Sequence, residues 1–233
     1  MTRPNPSRLT RHWKVAATGS LLLALTACSA LRPTTTPPPT FYALDAPPAA
    51  TVAIAAAGAT APTLLVLAPR AAAGFDSQRI IYLRQDHQVE YFAHSEWVDT
   101  PARMLGALLV PALQAGGAFR AVVPVSGAAT GDLRLDTEIL RLQHEFKRLP
   151  SQVRFTLRAT LVDDRTRTVL AWREFDTVVP SASEDPYGGV VAANRAVQAT
   201  LQELSAFSTE ALRQWIATPA KPALSVKPRS TPP

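Results

Sequence analysis

Val153-Arg154-Phe155-Thr156-Leu157-Arg158-Ala159-Thr160-Leu161 alternates apolar and polar residues without a break. Successive side chains of an extended strand point to opposite faces, so this segment is a strand with one buried and one wet face. The turn residues Asp163-Asp164-Arg165-Thr166 follow it, and Thr168 to Val179 returns as a partner carrying Leu170, Trp172, Phe175 and Val179 to the core. On the other side, Leu133, Leu135, Thr137 and Ile139 share one face, while Leu140 and Leu142 continue the apolar series on the other. A phase change of one residue marks a bulge near Ile139. Residues 132–179 are therefore expected to form a three-stranded antiparallel meander.

Upstream of the meander, Thr63-Leu64-Leu65-Val66-Leu67 is a short apolar run between Pro62 and Pro69, the pattern of a strand covered on both faces and central in its sheet. Arg79 to Arg84 and Gln88 to Ala93 flank the polar turn Gln85-Asp86-His87 and read as a hairpin, with Ile81, Leu83, Val89 and Tyr91 alternating as a half-buried pair. Thr100-Pro101 opens a helix to about Gln114, since Thr caps free N–H groups and Pro loses nothing at the first helical position. Met104, Leu105, Leu108, Leu109 and Leu113 form its apolar stripe. Gly116-Gly117 stops it, and Pro111 is expected to kink it or end it early. Phe119 to Val125 is a further short strand. Asp185-Pro186 repeats the cap-then-proline device before the longest helix, to about Ala217, with Val190, Val197, Leu201, Leu204, Leu212 and Trp215 on one side. The expected fold class is α/β, a mixed and largely antiparallel sheet with two main helices packed on it in a two- or three-layer sandwich.

The ends of the chain are of a different character. Residues 1–27 begin with Arg3, Arg8, Arg11 and Lys14, without an acidic residue, and end in an uncharged 13-residue apolar stretch, Val15 to Ala27. A transmembrane helix needs roughly 20 apolar residues to cross about 30 Å of hydrocarbon, so this stretch reads as a signal peptide. Residues 28–61 form a Pro-, Thr- and Ala-rich tether interrupted by Phe41-Tyr42-Ala43-Leu44. In polyproline II, at about 3.1 Å per residue, Ser29 to Pro39 would hold a domain roughly 30 Å from its attachment point. The aromatic island either packs on its own domain or meets a partner chain. Residues 62–217 are the folded domain, and residues 218–233 read as a disordered tail.

Charge and chemistry narrow the function. Of 24 basic residues, eight lie in the signal, the tether and the tail, leaving 16 between Thr40 and Ala217 against all 18 acidic ones. The folded part is thus about −2, and the high isoelectric point gives no case for nucleic-acid binding. His87 lies in a turn, and His94 and His144 lie near strand ends without metal-type companions; each reads as a surface histidine, and no metal site is assigned. Asp163-Asp164 and Glu184-Asp185 sit at turns or caps, where acidic residues are structural. No nucleophile pairs with a base, so no catalytic residue is assigned and the chain is not expected to be an enzyme. A hydrolase of envelope substrates is the least supported reading.

Leu25-Thr26-Ala27-Cys28 resembles the lipobox of bacterial lipoproteins, and Cys28 is the only cysteine of the chain. The resemblance implies a diacylglycerol on Cys28 and cleavage before it. Ser29 stands where an Asp favours inner-membrane retention in lipoproteins of enterobacterial type, which implies an outer-membrane address facing the periplasm. The covalent lipid is the only prosthetic group expected. The domain resembles the ABC-type transport auxiliary lipoprotein family through Phe41-Tyr42-Ala43-Leu44, Leu64 to Pro69, Arg79-Ile80-Ile81-Tyr82 followed by Tyr91 and Trp97, Asp132 to Ile139, and the final amphipathic helix. The resemblance covers residues 41 to about 217. It implies an auxiliary or docking part of an intermembrane lipid transport system, with a mammalian-cell-entry (MCE) protein and an ABC transporter complex as partners. Phe41, Tyr42, Tyr91 and Trp97 are the candidate partner or self-assembly surface, because aromatics are enriched at interface cores. Core packing is the competing role for Tyr91 and Trp97, and a carrier with its own lipid cavity is the competing function.

Overall fold

The computed structural model describes residues 38–45, 58, 60–125 and 130–217. The signal peptide, the lipobox residues Leu25, Thr26 and Ala27, Cys28, most of the tether and the tail lie outside the described residues. In chain order the elements are β1 (Thr40–Tyr42), β2 (Thr63–Val66), β3 (Arg70–Ala71), β4 (Arg79–Leu83), β5 (Glu90–Trp97), α1 (Pro101–Ala115), β6 (Ala121–Pro124), β7 (Leu133–Glu145), β8 (Gln152–Asp163), β9 (Val169–Pro180) and α2 (Pro186–Ala217).

All nine strands join one sheet, and β7 is its hub. One edge of β7 runs antiparallel to β8 from Leu133 opposite Asp163 to Glu145 opposite Gln152, and β8 in turn pairs antiparallel with β9. The other edge is shared by three parallel neighbours. β2 pairs with Leu133 to Leu135, β3 with Glu138 and Ile139, and β4 with His144 and Glu145. β6 extends the sheet beyond β2, while β5 and then β1 extend it beyond β4. The expected bulge is present as a register shift between Ile139 and Arg141. It keeps Leu133, Leu135 and Ile139 buried on the same core as Leu142 despite their opposite parity.

Both helices cover one face of the sheet. Leu105, Leu109 and Leu113 of α1 and Ala196, Val197 and Leu204 of α2 are almost fully buried with Leu64, Leu135, Phe155, Leu157 and Phe175 in a single cluster. Each large side chain so buried contributes about 1.5–3 kcal/mol, which makes this layer the main source of stability. The other face carries a ladder of ion pairs: Arg70 with Asp136, Arg134 with Asp164, Arg158 with Glu138 and Glu174, and Arg154 with Glu145 and Asp176. Exposed pairs contribute at most about 1 kcal/mol each, so the ladder sets cross-strand register more than stability.

Several expectations are corrected. Trp172 is 64% exposed on the charged face, opposite Thr160, because from Ala171 onward the odd residues of β9 face the helices with Leu161, Leu157 and Val153. In the hairpin, Val89 and Tyr91 are exposed, and the buried residues of β5 are Ser95 and Trp97 further along. An irregularity in the β4–β5 pairing, where Arg79 faces Glu96 but Ile81 faces Tyr91, breaks the expected alternation. Thr100 makes no side-chain cap; Asp99 instead accepts from the Thr100 N–H at 2.8 Å and pairs with Arg103. Helix α1 runs through Pro111, which with Ala107 lies on the exposed side, so the carbonyl that Pro111 leaves without a donor faces water. Gly117, at φ 65°, supplies the left-handed residue that ends the helix region. Asp185 caps α2 as expected, accepting from the Gly188 N–H at 2.7 Å.

The domain also begins earlier than residue 62. The segment after the tether pairs as β1 with β5, and Leu44 enters the core. Asn194 of α2 holds it there: its Oδ1 accepts from the Asp45 N–H at 2.7 Å and its Nδ2 donates to the Ala43 carbonyl at 3.1 Å. Substituting Asn194→Ala leaves two backbone groups without partners and is expected to cost about 1 kcal/mol. Denaturant unfolding measures that loss, and hydrogen exchange at residues 43–45 should speed up while that of β5 does not; unchanged exchange would show that Asn194 does not hold the segment.

Candidate functional site

The four aromatic residues expected at a partner surface separate into two groups. Phe41, in β1 at the sheet edge, is 57% exposed. Tyr91, in β5, is 40% exposed, with the Arg79 guanidinium 4.9 Å above its ring. Tyr42 is half-buried against the core. Trp97 is only 3% exposed and is a core residue, which removes it from any partner surface. Its backbone N–H donates to the Gln78 carbonyl at 2.7 Å, and its side chain joins the cluster that holds Leu44, Ile80 and Met104. Burying an indole of this size contributes more to folding than exposure to an intermittent partner would allow. Val98, exposed and bonded through its N–H to the Tyr42 carbonyl at 2.7 Å, adds an apolar side chain to the β1–β5 edge. No periodicity marks Val98 in the sequence, because it follows the end of β5.

The paired carboxylates are structural. Asp163 accepts from the N–H groups of Arg165 and Thr166 and from Trp215 Nε1 at 3.2 Å, which fastens the β8–β9 turn to the end of α2. Burial pushes its carboxyl up, but these bonds outweigh burial and hold it below the ordinary carboxylate range. Glu184 accepts from the Ser151 N–H at 2.9 Å. Among the described residues, no group of three or more His, Asp, Glu or Cys side chains is arranged to hold a metal ion, and no helix is long and apolar enough to cross a membrane.

His144 is not a surface residue. It is 2% exposed, with Nε2 2.8 Å from Ser151 Oγ and 3.1 Å from Ser181 Oγ. It lies in the inward phase of β7, two residues after Leu142, so the apolar series past the bulge already carried the signal of its burial. Its other nitrogen, Nδ1, has no hydrogen-bond partner and faces Gly189 of α2, where an added Cβ would stand 2.4 Å away. Close approach therefore requires glycine at that position. The pair of histidine and serine has the composition of a nucleophile and its base, but both side chains are buried and Nδ1 meets no carboxylate. What the network does is mechanical: with the Ser181 N–H bonded to the Ser151 carbonyl at 2.7 Å, it ties the loop between β7 and β8 to the end of β9 and the start of α2.

Burial pushes the His144 imidazole below its ordinary value of 6.5, against the opposing pull of Glu184 and Asp185. A depressed histidine is neutral in the fold while the unfolded chain still takes up a proton near pH 6.5, so the stability it supports is complete above that pH and declines as pH falls below it. One proton changes stability by at most about 1.4 kcal/mol per pH unit. Denaturant midpoints measured from pH 7.5 down to about pH 5.5, above the carboxylate range, should fall for the wild type and flatten for His144→Gln; equal slopes would show that His144 does not titrate with unfolding.

Comparison with known proteins agrees with this architecture. The chain superposes on the crystal structure of protein XCC0632 from Xanthomonas campestris with a TM-score of 0.65 at 23% identity, over 77% of this chain and all of that one. A second crystal structure, of an uncharacterized protein, matches with a TM-score of 0.55 at 13% identity, over 75% of this chain and 98% of that one. These likenesses establish the fold. No curated protein matches the sequence. A family model described as the ABC-type transport auxiliary lipoprotein component matches residues 42–205, from the last residue of β1 to past the midpoint of α2. The chain therefore belongs to the ABC-type transport auxiliary lipoprotein family.

Proposed function

We propose that the protein is anchored in the outer membrane by a lipid on Cys28, faces the periplasm, and acts without catalysis or cofactor as the docking component of an intermembrane lipid transport system. Its partners in this reading are an MCE-domain protein and the ABC transporter complex. The observation that carries it is the position of β1: the first strand after the tether leaves Phe41 exposed at the sheet edge, beside Val98 and on the same β1–β5 edge as Tyr91. A domain on a tether gains effective concentration for any partner that arrives at its membrane, so a modest patch suffices. The competing carrier reading needs an interior space for acyl chains. Among the described residues the space between sheet and helices is occupied by side chains such as Leu105, Leu109, Phe155 and Leu204, each nearly inaccessible, which favours docking.

Affinity purification of the full-length lipoprotein and of a Phe41→Ala, Tyr91→Ala variant tests the reading. Loss of two exposed aromatics on the proposed docking edge is expected to reduce recovery of the MCE protein on the order of tenfold or more. Equal recovery by a variant that still reaches the outer membrane would remove the proposed surface, and a Cys28→Ala chain still fractionating with that membrane would remove the anchor.

A further inference from the structure

The open face of the sheet, opposite the helices, carries a cleft of about 450 Å³ at the end where the β4–β5 turn and the β7–β8 loop lie side by side. Four cations line it, Arg141, Lys147, Arg148 and Arg154, against two carboxylates, Asp86 and Glu145. The domain as a whole is net acidic, so this local excess of two positive charges runs against its average. The two carboxylates are already engaged. Asp86 pairs with Lys147, and Glu145 accepts from Gln143, Gln152 and Arg154. Arg141 and Arg148 have no ion pair among the described residues, which leaves two guanidinium groups in one cleft without an anion.

The loop above the cleft has a second unusual feature. Leu149 is 82% exposed, directly after Lys147 and Arg148. An apolar side chain held out in water next to cations is the composition of a membrane-contacting tip, with the cations at headgroup level and the apolar group below them. The loop is braced for this position. Phe146 N–H donates to the Leu83 carbonyl at 2.8 Å, and Ser151 is held by His144, Ser181 and Glu184 at its far end. Its cost of ordering on contact is therefore low.

We propose that the cleft takes the headgroup phosphate of an anionic phospholipid in the membrane that holds the anchor, with Arg141 and Arg148 as its ligands and Leu149 seated at the acyl boundary. Guanidinium groups suit this ligand because their planar donors match phosphate oxygens in pairs. The inference rests on the reading of the chain as a lipid-anchored protein and is independent of which transport partner it meets.

The test uses the full-length lipidated protein in nanodiscs of phosphatidylcholine alone or of phosphatidylcholine with phosphatidylglycerol, read by hydrogen exchange at residues 85–88 and 146–150. Exchange is expected to slow about 25-fold in the anionic discs, given roughly fivefold for each of the two cations near a charged surface, and to recover at raised salt and in Arg141→Gln, Arg148→Gln. Leu149→Ser, a substitution at an exposed site that leaves folding intact, should reduce the protection without changing the denaturant midpoint. Equal exchange in the two disc types would overturn the proposal while leaving the anchor and the docking role in place. The same protection in neutral discs on adding inorganic phosphate would overturn the assignment to a lipid headgroup, and failure of the protein to enter either disc would overturn both the cleft assignment and the anchor.

Discussion

The pairing of β7 is the constraint on which the rest of the structure depends. Along its 13 residues the strand gives one edge wholly to β8 and divides the other among β2, β3 and β4. Three parallel neighbours can share that edge only if β7 is long and its inward series survives a change of phase, and the bulge after Ile139 provides this. Without the extra residue, either Leu133 to Ile139 or Leu142 and His144 would turn to the charged face, since a one-residue slip inverts every side chain beyond it. The cost would be several buried side chains at about 1.5–3 kcal/mol each, beyond what surface ion pairs could offset.

The two ends of β7 do different work as a result. Its first half, with β2 and β6, packs beneath α1, and the cluster of Leu64, Leu105, Leu109, Leu133 and Leu135 is closed and apolar. Its second half leads into the His144 network, the tilted and edge-to-face rings of Tyr82, Phe92 and Phe146, and the loop bearing Leu149. Close ring contacts and a buried hydrogen-bonded histidine make this end rigid. A rigid end is suited to presenting a surface.

Most of the fold is legible from residue order because its signals are local. Unbroken alternation in Val153 to Leu161, the shifted series around Ile139, and the Thr100-Pro101 and Asp185-Pro186 starts each depend on neighbours within a few residues. What could not be read depends on partners distant in sequence. Phe41 to Leu44 is too short to announce a strand, and only Asn194, far along the chain, and the edge of β5 make it one. Trp172 looks like a core residue by type, yet parity across β8 turns it to the charged face. Trp97 looks like an interface aromatic and is core, because the irregular β4–β5 pairing sets its direction. His144 is the instructive case: its position in the inward phase was readable, but the serines that satisfy it come from two other segments.

In the proposed docking role, the exposed aromatics of the β1–β5 edge meet the partner, and among the described residues the space between sheet and helices is filled by side chains such as Leu105, Leu109, Phe155 and Leu204. The most direct test is site-specific photo-crosslinking in living cells, with the photoreactive residue placed at Phe41 and, on the opposite edge of the sheet, at Trp172. An adduct with a component of the transport complex is expected from position 41 and none from position 172. Adducts from 172 alone, or from neither position while the protein sits in its membrane, would contradict the docking role.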